Sequence, residues 1–119
     1  MDIYQQNILD YYKNPRCRGE VADATHQAEA ANPLCGDRIE FFLKVEGGRV
    51  AEVGWDGEGC VLSQAAASML AESLKGKTLP EVTAVTKDNL LEMVAVTLGP
   101  NRLKCALLPL DALHQALAK

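Results

Sequence analysis

The stretch from Asp37 to Cys60 constrains the fold more than any other. Ile39, Phe41, Leu43 and Val45 alternate with Arg38, Glu40, Phe42, Lys44 and Glu46, the period-two pattern of a strand with one buried face. Gly47-Gly48 follows, a dipeptide suited to the positive φ angles of a tight hairpin turn. The return strand runs from Arg49 to about Asp56, with Ala51, Val53 and Trp55 expected on one face and Val50, Glu52 and Asp56 on the other. Gly57-Glu58-Gly59 is expected to break that strand and deliver Cys60. An antiparallel pair returns its far ends to one edge, so Cys35 and Asp37, just before the first strand, are brought near Cys60.

The rest of the chain reads as helices around this hairpin. Ile3, Tyr4, Ile8, Leu9, Tyr11 and Tyr12 are spaced along one face of a helix over residues 2–13. Asp2 is its N-cap and Asn14-Pro15 its end, since the residue before proline is pushed out of the helical region. Arg16-Cys17-Arg18-Gly19 reads as loop, and residues 20–31 as a weak edge strand. Residues 62–75 are Ala-rich and helical, with Ser63 as N-cap and Gly76 just past the end. Thr78-Leu79-Pro80 reads as a connector. A further helix, 88–98, opens with Asp88 and stops at Gly99-Pro100. The last segment, 101–118, is helical on both sides of Pro109, which is expected to kink it or to begin a separate helix.

Composition narrows the function classes. A chain of 119 residues, 48% apolar and 24% charged, is expected to form one domain with a real core. A net charge of -4 without a Lys/Arg cluster argues against nucleic-acid or anionic-membrane partners. No apolar run reaches the roughly 20 residues needed to span a bilayer. The first residues lack the basic and apolar regions of a signal peptide, so a cytoplasmic location is expected.

In a reducing compartment, dispersed cysteines more often bind metal or react than form disulfides. The four here are Cys17, Cys35, Cys60 and Cys105, and no two form a C-x-x-C pair. Cys60 follows Gly59 at a helix start, where N–H groups and the helix dipole favour a thiolate. Cys105 follows Lys104, whose ammonium is a candidate stabiliser of a neighbouring thiolate. Cys35 is followed by Gly36, which lets the backbone turn so that Asp37 points back beside it. Cys35, Asp37, Cys60 and Cys105 together make a four-ligand set. It suits tetrahedral zinc, or a labile iron–sulfur cluster with one oxygen ligand. A carboxylate is harder than a thiolate and should exchange more readily with iron, as a carrier that releases its cargo requires.

A buried cysteine often serves only as a small hydrophobe. Three cysteines flanked by glycine or charge, two of them at the ends of one hairpin, argue for a site instead. Cys17 lacks such a setting and reads as a surface thiol without a role. His26 and His114 read as solvated, with no ligand-like spacing to any cysteine.

Five stretches carry a resemblance: Tyr11-Tyr12-Lys13-Asn14-Pro15-Arg16, Asn32-Pro33-Leu34-Cys35-Gly36-Asp37, Gly57-Glu58-Gly59-Cys60-Val61-Leu62-Ser63, Ala65-Ala66-Ala67-Ser68-Met69 and Arg102-Leu103-Lys104-Cys105-Ala106. In this order they resemble the U-type iron–sulfur cluster assembly proteins: IscU, SufU and the N-terminal domain of NifU. The resemblance runs from the first helix nearly to the last and implies one domain over 1–119. The implied fold is α+β of the SufE/IscU type, a small antiparallel sheet of roughly three strands packed against roughly four to five helices. It implies that Cys35, Asp37, Cys60 and Cys105 hold a transient [2Fe-2S] cluster, with iron or zinc as occupant. It also implies a cysteine desulfurase as sulfur donor and apo iron–sulfur proteins as acceptors. The persulfide-accepting cysteine is Cys105 by analogy with IscU and Cys35 by analogy with SufU.

Two marks point in different directions. IscU-like members place a histidine before the third cysteine, after a Leu-Pro-Pro-Val-Lys chaperone-docking motif. Here the stretch is Leu98-Gly99-Pro100-Asn101-Arg102-Leu103-Lys104, so neither histidine ligation nor docking of an HscA-type chaperone is implied. Lys104 and Arg102 look more like SufU, a zinc-dependent sulfur-transfer protein. The span from Cys60 to Cys105, however, lacks the SufU insertion and has the IscU-like length. The first reading is therefore a non-enzymatic assembly scaffold, and the second a zinc-dependent sulfurtransferase. A purely structural zinc domain ranks third, because the chain has ample apolar core without metal.

Overall fold

A computed structural model describes residues 3–33, 36–95 and 98–118. Helix α1 (Ile3–Lys13) is followed by strands β1 (His26–Asn32), β2 (Asp37–Glu46) and β3 (Arg49–Glu58). Four helices complete the chain: α2 (Val61–Leu74), α3 (Leu79–Thr83), α4 (Lys87–Val94) and α5 (Pro100–Leu117). The sheet is antiparallel in the order β1-β2-β3. This is the expected α+β layer arrangement, three strands against five helices.

The hairpin forms as its pattern dictates. Gly47 and Gly48 make the turn with φ of 59° and 76°, which glycine adopts without steric cost. Ile39, Phe41, Leu43 and Trp55 are fully buried on the face shared with the helices. α5 lies across β1 and β2, α2 packs on β3 and on α5, and α1 covers the outer side of α2. Leu70, Leu74, Leu90 and Leu113 close the core between these layers.

Three sequence expectations change within the hairpin and just before it. A register shift between Lys44 and Val45 pairs Val45 with Val50 and Lys44 with Glu52, leaving Ala51 as the extra residue of a bulge. Val50 therefore turns inward and is 1% exposed, although strict alternation put Ala51 there. Gly57 does not break β3, which continues to Glu58. It pairs with Ile39, and a Cβ at Gly57 would collide with the Arg38 carbonyl oxygen. Lastly, residues 16–19 are not a plain loop. The Gly19 N–H donates to the Trp55 carbonyl at 2.7 Å, and the Trp55 N–H to the Cys17 carbonyl at 3.1 Å. This strap runs parallel to β3 through the Arg18–Trp55 bridge, and of the edge strand expected over 20–31 only the second half forms, as β1.

The helix ends also differ in detail. Cys60, not Ser63, caps α2. The expected connector is helix α3, opened by a capping box between Thr78 and Glu81. Thr86 caps α4, which ends at Ala95 with a left-handed φ of 60°. The C-terminal part of the helix expected to reach 98 includes Val96 and Thr97, which lie outside the described residues. α5 runs unbroken through Pro109, so no separate final helix begins there. Proline removes a hydrogen bond from the helix interior, and here Pro109 is fully buried within the helix. Among the described residues no helix is long and apolar enough to cross a membrane.

Candidate metal centre

Asp37 opens β2 two residues before Ile39, so the pleat turns its side chain to the helix-covered face. It is 3% exposed, a place where a carboxylate needs partners. Oδ1 accepts the Cys60 backbone N–H at 3.2 Å. Oδ2 is buried and has no well-formed hydrogen bond among the described residues. Burial pushes the Asp37 carboxyl up. The Cys60 thiol, the Cys105 thiol, the Cys60 N–H and Ser63 together outweigh that and hold it below the usual carboxylate range. The thiols act there as weak donors.

Cys60 is exposed at the N-cap of α2. Its Sγ accepts the Ser63 N–H at 3.4 Å, satisfying one of the unpaired donors of the first turn. The Ser63 hydroxyl, fully buried, donates to the Cys60 carbonyl at 3.1 Å. Cys105 reaches the same point from the second turn of α5. One ligand atom from each of Asp37, Cys60 and Cys105 lies within 4.8 Å of the other two.

These residues fit a metal ion. Two thiolates on one tetrahedral zinc, each at ~2.3 Å, stand about 3.8 Å apart. A small contraction brings the three donors to that spacing. Asp37 Oδ2, without a well-formed hydrogen bond among the described residues, is a ready ligand atom, and the exposed Cys60 gives access from solvent. Cys35, the fourth ligand of the sequence reading, lies outside the described residues. Lys104 is exposed on α5.

The profile of the family described as NifU-like N terminal domain matches residues 3–119. The chain belongs to that family. Among the relatives of this NifU-like domain is the zinc-dependent sulfurtransferase SufU of Bacillus subtilis, 34% identical, covering 98% of this chain and 90% of the relative. Another is the iron–sulfur cluster assembly scaffold protein IscU of Thermotoga maritima, also 34% identical, covering 98% and 94%. A solved structure from Fervidobacterium islandicum, a putative iron–sulfur cluster assembly scaffold protein for the SUF system, superposes with a TM-score of 0.79. It is 27% identical and covers 94% of each chain.

The NifU-like domain thus brings together three of the four residues that the sequence singled out as ligands. Cys17 stands apart in the strap, exposed, where burial and then Glu72 push its thiol up against a smaller opposing effect of Lys75. His26 and His114 are outside the cluster; the His114 ring Nε2 lies 3.1 Å from the Val85 carbonyl oxygen. Sequence reasoning missed the contact of Ser63 with Cys60 and the close seat of Gly59 on Asp37. The Cys-x-x-Ser spacing at a helix start was the available signal for the first, since an N-cap side chain meets the backbone three residues on.

Proposed function

We propose that this chain is an iron–sulfur cluster assembly scaffold. It accepts sulfur from a cysteine desulfurase and holds a [2Fe-2S] cluster as cargo on Cys35, Asp37, Cys60 and Cys105, for delivery to apo-proteins. The observation that carries this reading is the buried Asp37 carboxylate, one oxygen of which has no well-formed hydrogen bond among the described residues, placed among two thiols of which one is open to solvent. Thiolates hold iron firmly, while a carboxylate exchanges faster. Such a mixed set suits transient loading better than permanent retention.

Sulfur would arrive by thiolate substitution. A thiolate of this chain, Cys105 or Cys35, attacks the outer sulfur of the desulfurase persulfide. The new S–S bond forms as the old one breaks, and the desulfurase cysteine leaves as thiolate with the electron pair. Lys104, next to Cys105, would stabilise the attacking thiolate. The reaction belongs in a reducing compartment such as the cytoplasm.

Anaerobic reconstitution with iron, cysteine and a desulfurase tests the scaffold reading. A visible chromophore with stoichiometric iron and sulfide, transferable to an apo-ferredoxin and lost in Cys60→Ala, is expected. No chromophore in the unmodified protein overturns it.

A second reading is a zinc-dependent sulfurtransferase. It is favoured by the spacing of the three donors, which is near that of a single ion. In that case zinc-loaded protein accelerates cysteine turnover by the desulfurase without iron. Equal rates with and without zinc-loaded protein remove this reading.

A further inference from the structure

We propose that Arg18 is a positioning residue for the metal loop, clamping the backbone that presents Cys60. The inference rests on the reading of Cys60 as a ligand. Gly57 and Glu58 pair with β2 along one edge of β3, but Gly57 and Gly59 have φ of 158° and 146°, in a region where glycine gives up more backbone freedom than other residues. The other edge of this segment and the turn at Gly59 are held by side chains.

The Arg18 guanidinium does so from the strap. Its Nη2 donates to the Gly57 carbonyl at 2.7 Å. Nη1 donates to Gln64 Oε1 at 2.9 Å, and Gln64 Nε2 donates to the Gly59 carbonyl at 2.9 Å. Nε pairs with Asp56 Oδ1 at 3.4 Å, the same oxygen that accepts the Gly57 N–H at 2.8 Å. The guanidinium also lies over the fully buried Trp55 ring, 4.9 Å from its centroid. One planar side chain therefore grips residues 55, 56 and 57 directly and residue 59 through Gln64. None of these bonds touches a ligand atom. They fix the carbonyls of Gly57 and Gly59 and hence the direction in which the chain enters Cys60.

The fork geometry matters. Arginine offers five donors in a rigid plane, whereas lysine is a point charge on a flexible stem. Partners that orient metal ligands typically change metal affinity 10- to 100-fold when removed. The strap is itself tied down independently of Arg18. The Trp55 ring N–H donates to the Arg16 carbonyl at 2.8 Å, and the Arg16 N–H to Ser68 Oγ at 3.3 Å. Loss of the guanidinium should loosen the loop without releasing the strap.

The test measures zinc affinity by competition with a chromophoric chelator, together with the ligand-field spectrum of the cobalt(II)-loaded protein and thermal melting of the metal-free form. Unmodified protein, Cys60→Ser, Arg18→Met, Arg18→Lys, Gln64→Leu and the Arg18→Met/Gln64→Leu double variant are compared. Arg18→Met is expected to weaken zinc about tenfold or more and to shift the cobalt spectrum, with Arg18→Lys failing to restore either. Gln64→Leu should show a smaller effect of the same kind, and the double variant should fall short of the product of the single effects because the two side chains act through one chain of bonds. Gln64→Leu also keeps the question answerable should Arg18→Met fail to fold. Unmodified affinity and spectrum in both Arg18→Met and Gln64→Leu, alongside weakened binding in Cys60→Ser, overturns the clamp and leaves the metal centre standing. An affinity loss that follows the melting temperature with no spectral change also overturns it. Unmodified binding in Cys60→Ser overturns the ligand reading, and the clamp with it.

Discussion

Gly59 lies directly on Asp37: a Cβ added to Gly59 would come 2.5 Å from the carboxyl carbon and 2.5 Å from Oδ1. The glycine is thus a space requirement of the candidate metal centre as well as a conformational one, since its φ is 146°. It lets the end of β3 close over the start of β2, so that the next N–H, that of Cys60, reaches Oδ1.

Gly59→Ala is therefore expected to displace Asp37 and destabilise the metal-free protein by about 1–3 kcal/mol from backbone strain alone. Zinc competition should show weaker binding, and thermal melting a lower midpoint. Unchanged values in both would mean that the loop relaxes freely.

Asp37 also makes stability depend on pH. Its folded-state pKa is depressed, so its contribution is fully present above the unfolded value of about 3.9 and is lost as pH falls through the lower folded value. Denaturant unfolding of metal-free protein should show stability falling below pH about 4. The same series on Asp37→Asn should show a shallower fall, because the group that takes up the proton is gone.

Replacing the carboxylate with a further thiolate tests its role in release. Asp37→Cys supplies a softer ligand for iron. Reconstituted cluster on this variant should pass to apo-ferredoxin more slowly than from the unmodified protein, measured as the half-time of the acceptor spectrum. Equal half-times would remove Asp37 as the labile ligand.

The core is built from apolar side chains drawn from the sheet and the helices. Ile39, Phe41, Leu43, Trp55, Leu70 and Leu113 are all fully buried. Chelator-treated protein should keep its helical circular-dichroism signal, whereas a purely structural zinc domain would lose it. Phe41→Ala should cost about 3–5 kcal/mol in denaturant unfolding, with or without metal.

Much of this arrangement was legible beforehand because it rests on local rules. Alternation from Ile39 to Val45 and the glycine pair at 47–48 specified the hairpin, and the hairpin placed Asp37 beside Cys60. Gly76, with φ of 84°, ended α2 as a C-terminal glycine should. Ala51 was misplaced because a bulge adds one residue to a strand and leaves no mark in a period-two pattern. Cys60 was not foreseen as the cap because serine is the commoner choice; its sulfur accepts the Ser63 N–H in the same way.

By itself the sequence determined the candidate ligand residues, the strands and turn that join Asp37 to Cys60, and the family pattern. Those follow from residue types and short spacings. Only the tertiary structure decided that Cys105, brought in on α5, meets them within 4.8 Å, that Pro109 stays inside one helix, and that Arg18 grips the loop from a strap distant in sequence. Each of these depends on how a helix or strap lies across the sheet, which is settled by packing of the whole core and not by any local stretch of chain.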